Sequence, residues 1–349
     1  MLQWGSRNPS RMDPTLSPTP APSRSNFLHW AIAFVLAGVL LYYSLRGIDW
    51  VQVWSNLATT RLDYVGLMLM VTTGSLFLRA VRWRVLLEAA GPVRITTAFW
   101  ATCAGYFGNN FLPARAGELV RTMMVDAEAG LGRTFVLTTA LSERIVDAIA
   151  LVLISSLVLL TLPVRPGWYA SAAKPFAMIG ICGVLGIAIL PRLERLWHDL
   201  LSRMPVPERF RGKLTHILER ILFGFRAFHD ARRLLAFLGL TAVIWFMDAV
   251  GFILAARSLN IILTVPIAYL LMTGLGLGSA LPSTPGYVGI YQFVSVTVLM
   301  PFGFSRPAVI AYTLLLQVLQ YLSTAVWGLF ALLHFRRVKA KIKPAIVAG

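Results

Sequence analysis

The chain has 349 residues, of which 57% are hydrophobic and only 13% charged, about half the charged share of a soluble domain, roughly 25%. A soluble globular enzyme is excluded, because runs such as 148–162, apolar but for Ser155, Ser156 and Thr161, have no polar face and belong in a hydrocarbon layer. The formal net charge of +17 does not predict a nucleic-acid partner, since in a membrane chain lysines and arginines report orientation.

Residues 1–26 are rich in Pro, Ser and Thr and carry Arg7, Arg11 and Arg24; this composition predicts a disordered tail. A first span is expected over 27–45. No small-residue cleavage site follows it, so it reads as an anchor and not a signal peptide. The second span, 64–87, ends in Arg79, Arg82 and Arg84, which suits a cytoplasmic exit, with Arg82 and Arg84 as interfacial anchors. Residues 96–125 start apolar and are then broken by Gly105, Gly108, Asn109, Asn110, Pro113 and Gly117. Full spans are expected at 133–162 and 173–190. The stretch 192–233 is polar, with ten Lys/Arg against five Asp/Glu. Its apolar residues, Phe210 through Phe228, recur every three or four positions. That pattern fits a basic amphipathic helix on an anionic leaflet, or equally a linker helix packed on the protein's own surface. A fifth span is expected over 234–256. From Ser258 to Ser305 no residue is charged, and the stretch is broken at Gly274, Gly276, Gly278, Pro282, Pro285 and Gly286. A last span over 307–334 runs into a basic tail, 338–349, beyond Arg336 and Arg337.

These elements predict an all-α polytopic membrane protein with about six full spans and two broken re-entrant hairpins, or eight crossings if each hairpin is two short spans. The membrane domain covers 27–337, in halves of 27–165 and 173–337. With the basic regions on one face, both termini are cytoplasmic and the protein sits in the cell inner (plasma) membrane.

Shifting the sequence by 169 positions sets Gly105, Leu112, Pro113 and Gly117 on Gly274, Leu281, Pro282 and Gly286, and Arg79 on Asp248. Four residues more set Arg144 and Asp147 on Gln317 and Gln320. Three crossings per half is odd, so the second half lies inverted. Inverted repeats with broken helices are a recurring transporter plan, with the substrate near the midplane. Half-helices starting near Gly117 and Gly286 would aim their positive ends at an anionic group.

Charges at bilayer depth are costly and tend to be functional. Asn109, Asn110, Arg115, Glu118 and Arg121 cluster at the first break; Glu143, Arg144 and Asp147 lie in the third span and Asp248 in the fifth. Arg144 is expected to pair with Asp147 at i,i+3, leaving Glu143 to find another partner. One reading is a polar pocket in which Arg115, Arg121 or Arg144 neutralises a headgroup, with Glu118, Glu143 or Asp147 balancing charge or carrying a proton. The other is internal pairing that locks hairpin to bundle, for instance Glu118 with Arg144. Asp248 and Arg79 read as structural. Pro113, Gly117, Pro282, Pro285 and Gly286 read as architectural, at the hairpin breaks. Cys103 and Cys182 and the five histidines have no ligand spacing, and no metal or cofactor is expected.

The segments Asn110-Phe-Leu-Pro-Ala-Arg-Ala-Gly-Glu-Leu-Val-Arg121, Glu143-Arg-Ile-Val-Asp147 and Pro282-Ser-Thr-Pro-Gly-Tyr-Val-Gly289 resemble the transmembrane region of lysylphosphatidylglycerol synthases, also described as a flippase-like family. The resemblance implies a non-enzymatic module moving a phospholipid or a lipid-linked molecule, anionic or polyprenyl-linked, between leaflets. Full-length synthases add a soluble aminoacyl-transfer domain after the membrane part; that activity is not expected of this chain, which stops at Gly349. Family members often carry an acid soon after the third motif, where Tyr291 and Gln292 stand here. The alternative is a membrane partner of a lipid-modifying enzyme, docking through 192–233. A membrane-embedded transferase is disfavoured by the lack of a phosphate loop or nucleophile–base motif.

Overall fold

The computed structural model describes residues 24–111, 116–161, 230–279 and 285–347, with positions 178, 180–182 and 185 of a further helical stretch. Most of the expected 1–26 tail, most of the 173–190 span, nearly all of the 192–233 loop, and Pro113, Arg115 and Pro282 lie outside the described residues. The described residues form helices and no strand: α1 (Arg24–Leu45), α2 (Trp50–Ala58), α3 (Leu62–Leu87), α4 (Ile95–Phe111), α5 (Gly117–Ala129), α6 (Arg133–Thr161), α7 (Ala231–Ser258), α8 (Val265–Ser279), α9 (Ile290–Leu299) and α10 (Arg306–Val347).

Among the described residues three segments are long and apolar enough to cross a membrane: α3, α7, and Arg306–Arg337 within α10. At 1.5 Å per residue, the 26 residues of α3 extend about 39 Å, more than a hydrocarbon core of about 30 Å. Their outer faces stay apolar, with Met70 on α3, Phe246 on α7 and Leu329 on α10 exposed, as a lipid-facing surface requires. Helix α6 covers the segment expected as the third span and carries four charged residues, Arg133, Glu143, Arg144 and Asp147.

Helix starts and stops follow local chemistry. The Asp49 carboxylate caps α2 by accepting from the backbone N–H groups of Val51 and Gln52 at 3.0 and 3.2 Å, as an N-cap acid should. Helix α5 ends at Gly130, which is left-handed at φ 66°. Asp126 then holds the turn into α6 through Gly132 N and Arg133. Helix α2 was not expected from the sequence. It buries Val53 and exposes Trp50 and Trp54, one turn apart, an arrangement suited to the interfacial belt.

Helices end where the sequence breaks them, at Phe111 before Gly117 and at Ser279 before a 3-10 turn, Pro285–Tyr287. The two resulting hairpins are α4–α5 and α8–α9. Helix α4 packs on α5 and α10, α8 packs on α9 and α6, and α3 lies along α7. On α4 the residues Ala98, Ala101, Ala104 and Gly105 are all buried, and small side chains let backbones approach closely. A Cβ on Gly117 would lie 1.9 Å from the Gly105 carbonyl oxygen, so the hairpin closes only around glycine. Hydrogen bonds join the helix ends of one face: Arg61 N–H donates to Ser258 O at 2.8 Å, and Arg306 Nη1 donates to Arg46 O at 3.1 Å.

Candidate functional site

Where α3, α7 and both hairpins converge lies a cavity of about 600 Å³. Its lining combines charged and polar residues (Arg79, Asn109, Asn110, Glu118, Arg144, Asp248) with apolar and aromatic ones, including Met68, Leu151, Phe252, Met272, Leu275, Tyr287 and Tyr291. Such a mixed lining suits a ligand with polar and apolar parts.

The charged part of the lining is built from α3, α5, α6 and α7. Arg79 of α3 pairs with Asp248 of α7, and Ser75 Oγ donates to the other oxygen of that carboxylate at 2.5 Å. Across the cavity, Arg144 Nε donates to Glu118 Oε1 at 3.0 Å. Glu118 also accepts from Arg121 Nε at 2.5 Å and from Asn109 Nδ2 at 3.1 Å. Tyr106 joins the two groups: its hydroxyl accepts from Arg79 at 3.0 Å and from Arg144 at 3.4 Å, and both guanidiniums lie over its ring.

Behind that wall lies a second, fully buried layer. Arg82 has no exposed side-chain surface. It donates to Glu143 at 2.7 Å, to both oxygens of Asp147 at 2.6 and 2.8 Å, and to Thr241 at 3.0 Å. Arg121 donates to the second oxygen of Glu143 at 2.9 Å. The layer ties α3, α5, α6 and α7 together, and each buried charge meets an opposite one, the condition for tolerating it.

Three sequence expectations are corrected here. Arg82 is not an interfacial anchor: it lies inside the bundle because α6 presents two carboxylates to it. Arg144 does not pair with Asp147 on its own helix. The carboxylate of Asp147 goes to Arg82, and Arg144 reaches Glu118 on α5 instead. Arg121, Glu143 and Asp147 do not line the cavity but stand one layer behind it. Arg84 pairs with Glu88 at 2.7 Å near the end of α3 and is half-exposed.

In the second hairpin Gly286 and Tyr287 are both left-handed, at φ 86° and 53°, and Pro285 opens their turn. Gln317 donates to the Gly286 carbonyl oxygen. Gln292 accepts from Gly289 N–H at 2.8 Å and donates to Gln317 at 2.9 Å. A neutral amide network thus stands where the first hairpin carries charges. Tyr106, Ser75 and Trp245 were not singled out from the sequence; Tyr287 was noted only as part of the third motif, and Tyr291 only as standing where an acid was expected.

The family described as "Lysylphosphatidylglycerol synthase TM region" matches residues 30–328. "Glycosyltransferase AglD" of Haloferax volcanii is similar, 24% identical over 256 residues, which is 64% of this chain. The match spans 40% of that relative's length.

Proposed function

Because the chain belongs to the lysylphosphatidylglycerol synthase TM region family, we propose that it is a non-enzymatic lipid transporter of the cell inner membrane, moving a phospholipid or lipid-linked molecule between leaflets. The observation that carries this reading is the cavity, whose lining brings Arg144 and Arg79 together with apolar and aromatic side chains. A headgroup would sit against the arginines, and acyl or prenyl chain against Met272, Leu275 and Phe252. The halves act as an inverted repeat around this site. In support, α4 lies on α10 as α8 lies on α6, and Arg79 touches Asp248, its counterpart 169 positions on. Corresponding residues meet only near an axis relating two halves, where transporters of this plan bind substrate.

The test is leaflet exchange of headgroup-labelled anionic and zwitterionic lipids in liposomes holding the purified chain, beside Arg144→Ala. Rapid exchange with wild type that falls to the rate of empty liposomes in the variant is expected. Exchange no faster than in empty liposomes, for every lipid and with or without a proton gradient, sinks the reading.

One observation favours a second reading. The family is named for one region of a synthase, and the matched relative, named a glycosyltransferase, is more than twice as long as its matched part. In this reading the chain is a membrane partner of a lipid-modifying enzyme, docking through 192–233. Deleting that loop would then abolish function and Arg144→Ala would not.

A further inference from the structure

Among the described residues, the charges around the cavity are balanced before any ligand enters. Arg79, Arg82, Arg121 and Arg144 stand in ion pairs with Asp248, Glu143, Asp147 and Glu118, four cations with four anions. An anion brought into this set leaves one negative charge without a partner in surroundings that solvate it poorly, which is strongly unfavourable. Within this set of described groups, the binding of an anion is balanced when one carboxylate loses its charge.

Glu118 is the carboxylate placed for that. Glu143 and Asp147 are locked behind the wall by Arg82; Asp248 lines the cavity as Glu118 does, but its cation, Arg79, is 13% exposed and its other oxygen accepts from Ser75. Glu118 lines the cavity itself, and one of its cations is the accessible one. The Arg144 side chain keeps 36% of its surface exposed, against 2% for Arg121. Arg144 spends its Nε on Glu118 and its Nη1 on a long contact with Tyr106, and its Nη2 meets no acceptor among the described residues. A second, independent observation lies on the other side of Glu118. Asn109 donates its amide nitrogen to Glu118, while its Oδ1 is buried with no hydrogen-bond partner. A buried acceptor left without a donor is rare and calls for an explanation. If Glu118 carries a proton and the Asn109 amide turns over, the carboxyl O–H donates to that oxygen.

We propose that Glu118 exchanges a proton for the ligand: a phosphodiester anion takes the Arg144 guanidinium from Glu118, and Glu118 takes up one proton from cavity water and donates it to Asn109 Oδ1. Two N–H···O contacts to Glu118 break, from Arg144 and from Asn109 Nδ2; one forms from Arg144 to the phosphodiester and one O–H···O forms from Glu118 to Asn109 Oδ1; one proton enters, and the net charge of the site is unchanged. The groups facing Glu118 are Tyr106 and Asn109 of α4, Arg121 of its own helix and Glu143 and Arg144 of α6, with Arg79 of α3 and Asp248 of α7 across the cavity. A ligand that takes Arg144 leaves Glu118 with Arg121 as its cation, and Arg121 also serves Glu143. The apolar part of the lining assigns the phosphodiester to a lipid. This inference rests on the lipid-transporter reading and names what that site recognises.

The test is equilibrium binding to the full chain in detergent, measured by titration calorimetry in buffers of different ionisation heat. The probes are short-chain phosphatidylglycerol, whose diester does not titrate near neutrality, short-chain phosphatidylcholine, and the deacylated headgroup glycerophosphoglycerol. Wild type should take up about one proton per phosphatidylglycerol bound, its affinity rising about tenfold per unit fall in pH. Phosphatidylcholine, which brings its own cation, should take up none, and Glu118→Gln should bind phosphatidylglycerol independently of pH. Should Glu118→Gln fail to fold, the proton count and pH slope of wild type decide alone. Phosphatidylglycerol that does not bind, or binds with no proton uptake, or with the same uptake in Glu118→Gln, overturns the proposal. Equal binding of the deacylated headgroup overturns the assignment to a lipid. Proton-linked binding without any leaflet exchange instead overturns the transporter reading and leaves this one standing.

Discussion

Arg82 and Arg144 carry the same charge on facing helices, yet their surroundings give them different work. Arg82 has no water to fall back on and serves both Glu143 and Asp147. Its removal leaves two buried carboxylates short of a counter-ion, a loss of about 3–5 kcal/mol. Arg144 keeps contact with the cavity, and Glu118 retains Arg121 when Arg144 is removed. Arg82→Met is therefore expected to lower the unfolding free energy of the purified chain in detergent by several kcal/mol. Arg144→Ala should lower it by clearly less while stopping transport. Equal destabilisation by the two would refute the division between lock and cavity wall. Arg82→Lys should resemble Arg82→Met, because a single ammonium cannot replace a guanidinium that meets two acids at once. From sequence, Arg82 looked like Arg84, one more arginine near a helix end. The difference is made by α6, which brings Glu143 and Asp147 onto Arg82 and not onto Arg84, and spacing along α3 contains no trace of that. The Glu118–Arg144 pair was foreseen as one of two readings, since both residues stand out as charges in apolar sequence; Tyr106, an aromatic among aromatics, did not.

Both hairpins are closed by glycines whose roles differ in kind. At Gly117 the constraint is space: the Gly105 carbonyl oxygen stands where a Cβ would go, and Asn109 is within 2.6 Å of it. At Gly289 space and backbone act together, with φ at 88° and the Ala37 carbonyl oxygen of α1 at 2.3 Å from a Cβ. Gly130, at φ 66° with nothing within 4 Å, serves as a control for conformation alone. Gly130→Ala should cost about 1–2 kcal/mol, the left-handed penalty. Gly117→Ala should cost about 1–3 kcal/mol through overpacking, and Gly289→Ala, which incurs both, should cost most. Unfolding of the three variants in detergent gives the order; Gly289→Ala milder than Gly130→Ala would mean that α1 does not clamp the second hairpin. The hairpin breaks were legible because Pro and Gly interrupt apolar runs at matching offsets. Helix α2 was not, since nine residues between two spans give too short a window for a period. Its capping Asp49 and paired tryptophans are signals only once a helix is suspected.

For the whole molecule the open variable is which face is cytoplasmic, and the structure sharpens that question by grouping the helix ends. One face gathers Arg46, Arg61, Arg257 and Arg306, where a backbone bond ties α3 to α7 and the Arg306 side chain ties α10 to the end of α1. It is not free of positive charge, and Arg61 is matched there by Asp63. The opposite ends carry Arg84, Arg94, Arg133, Arg232, Arg233, Arg336 and Arg337. Orientation follows the balance of Lys and Arg in short loops, so the second face is expected to be cytoplasmic. The exposed positions Thr59 and Ile262 mark the first face, and Arg232 and Arg336 the second. With Cys182, which is exposed, replaced by Ala and the buried Cys103 retained, single cysteines at these four positions can be probed in whole cells with a membrane-impermeant maleimide. Thr59→Cys and Ile262→Cys should label in intact cells, Arg232→Cys and Arg336→Cys only after permeabilisation. The reverse pattern would invert the protein, and a mixture within either pair would break the grouping of helix ends. Under the expected orientation the α4–α5 hairpin, with Glu118 and Arg144 at its wall, enters from the cytoplasm. The neutral α8–α9 hairpin enters from outside. The proton in the proposed exchange would then reach Glu118 from the side on which the charged network lies, so the labelling experiment also fixes the direction in which a pH gradient should act on transport.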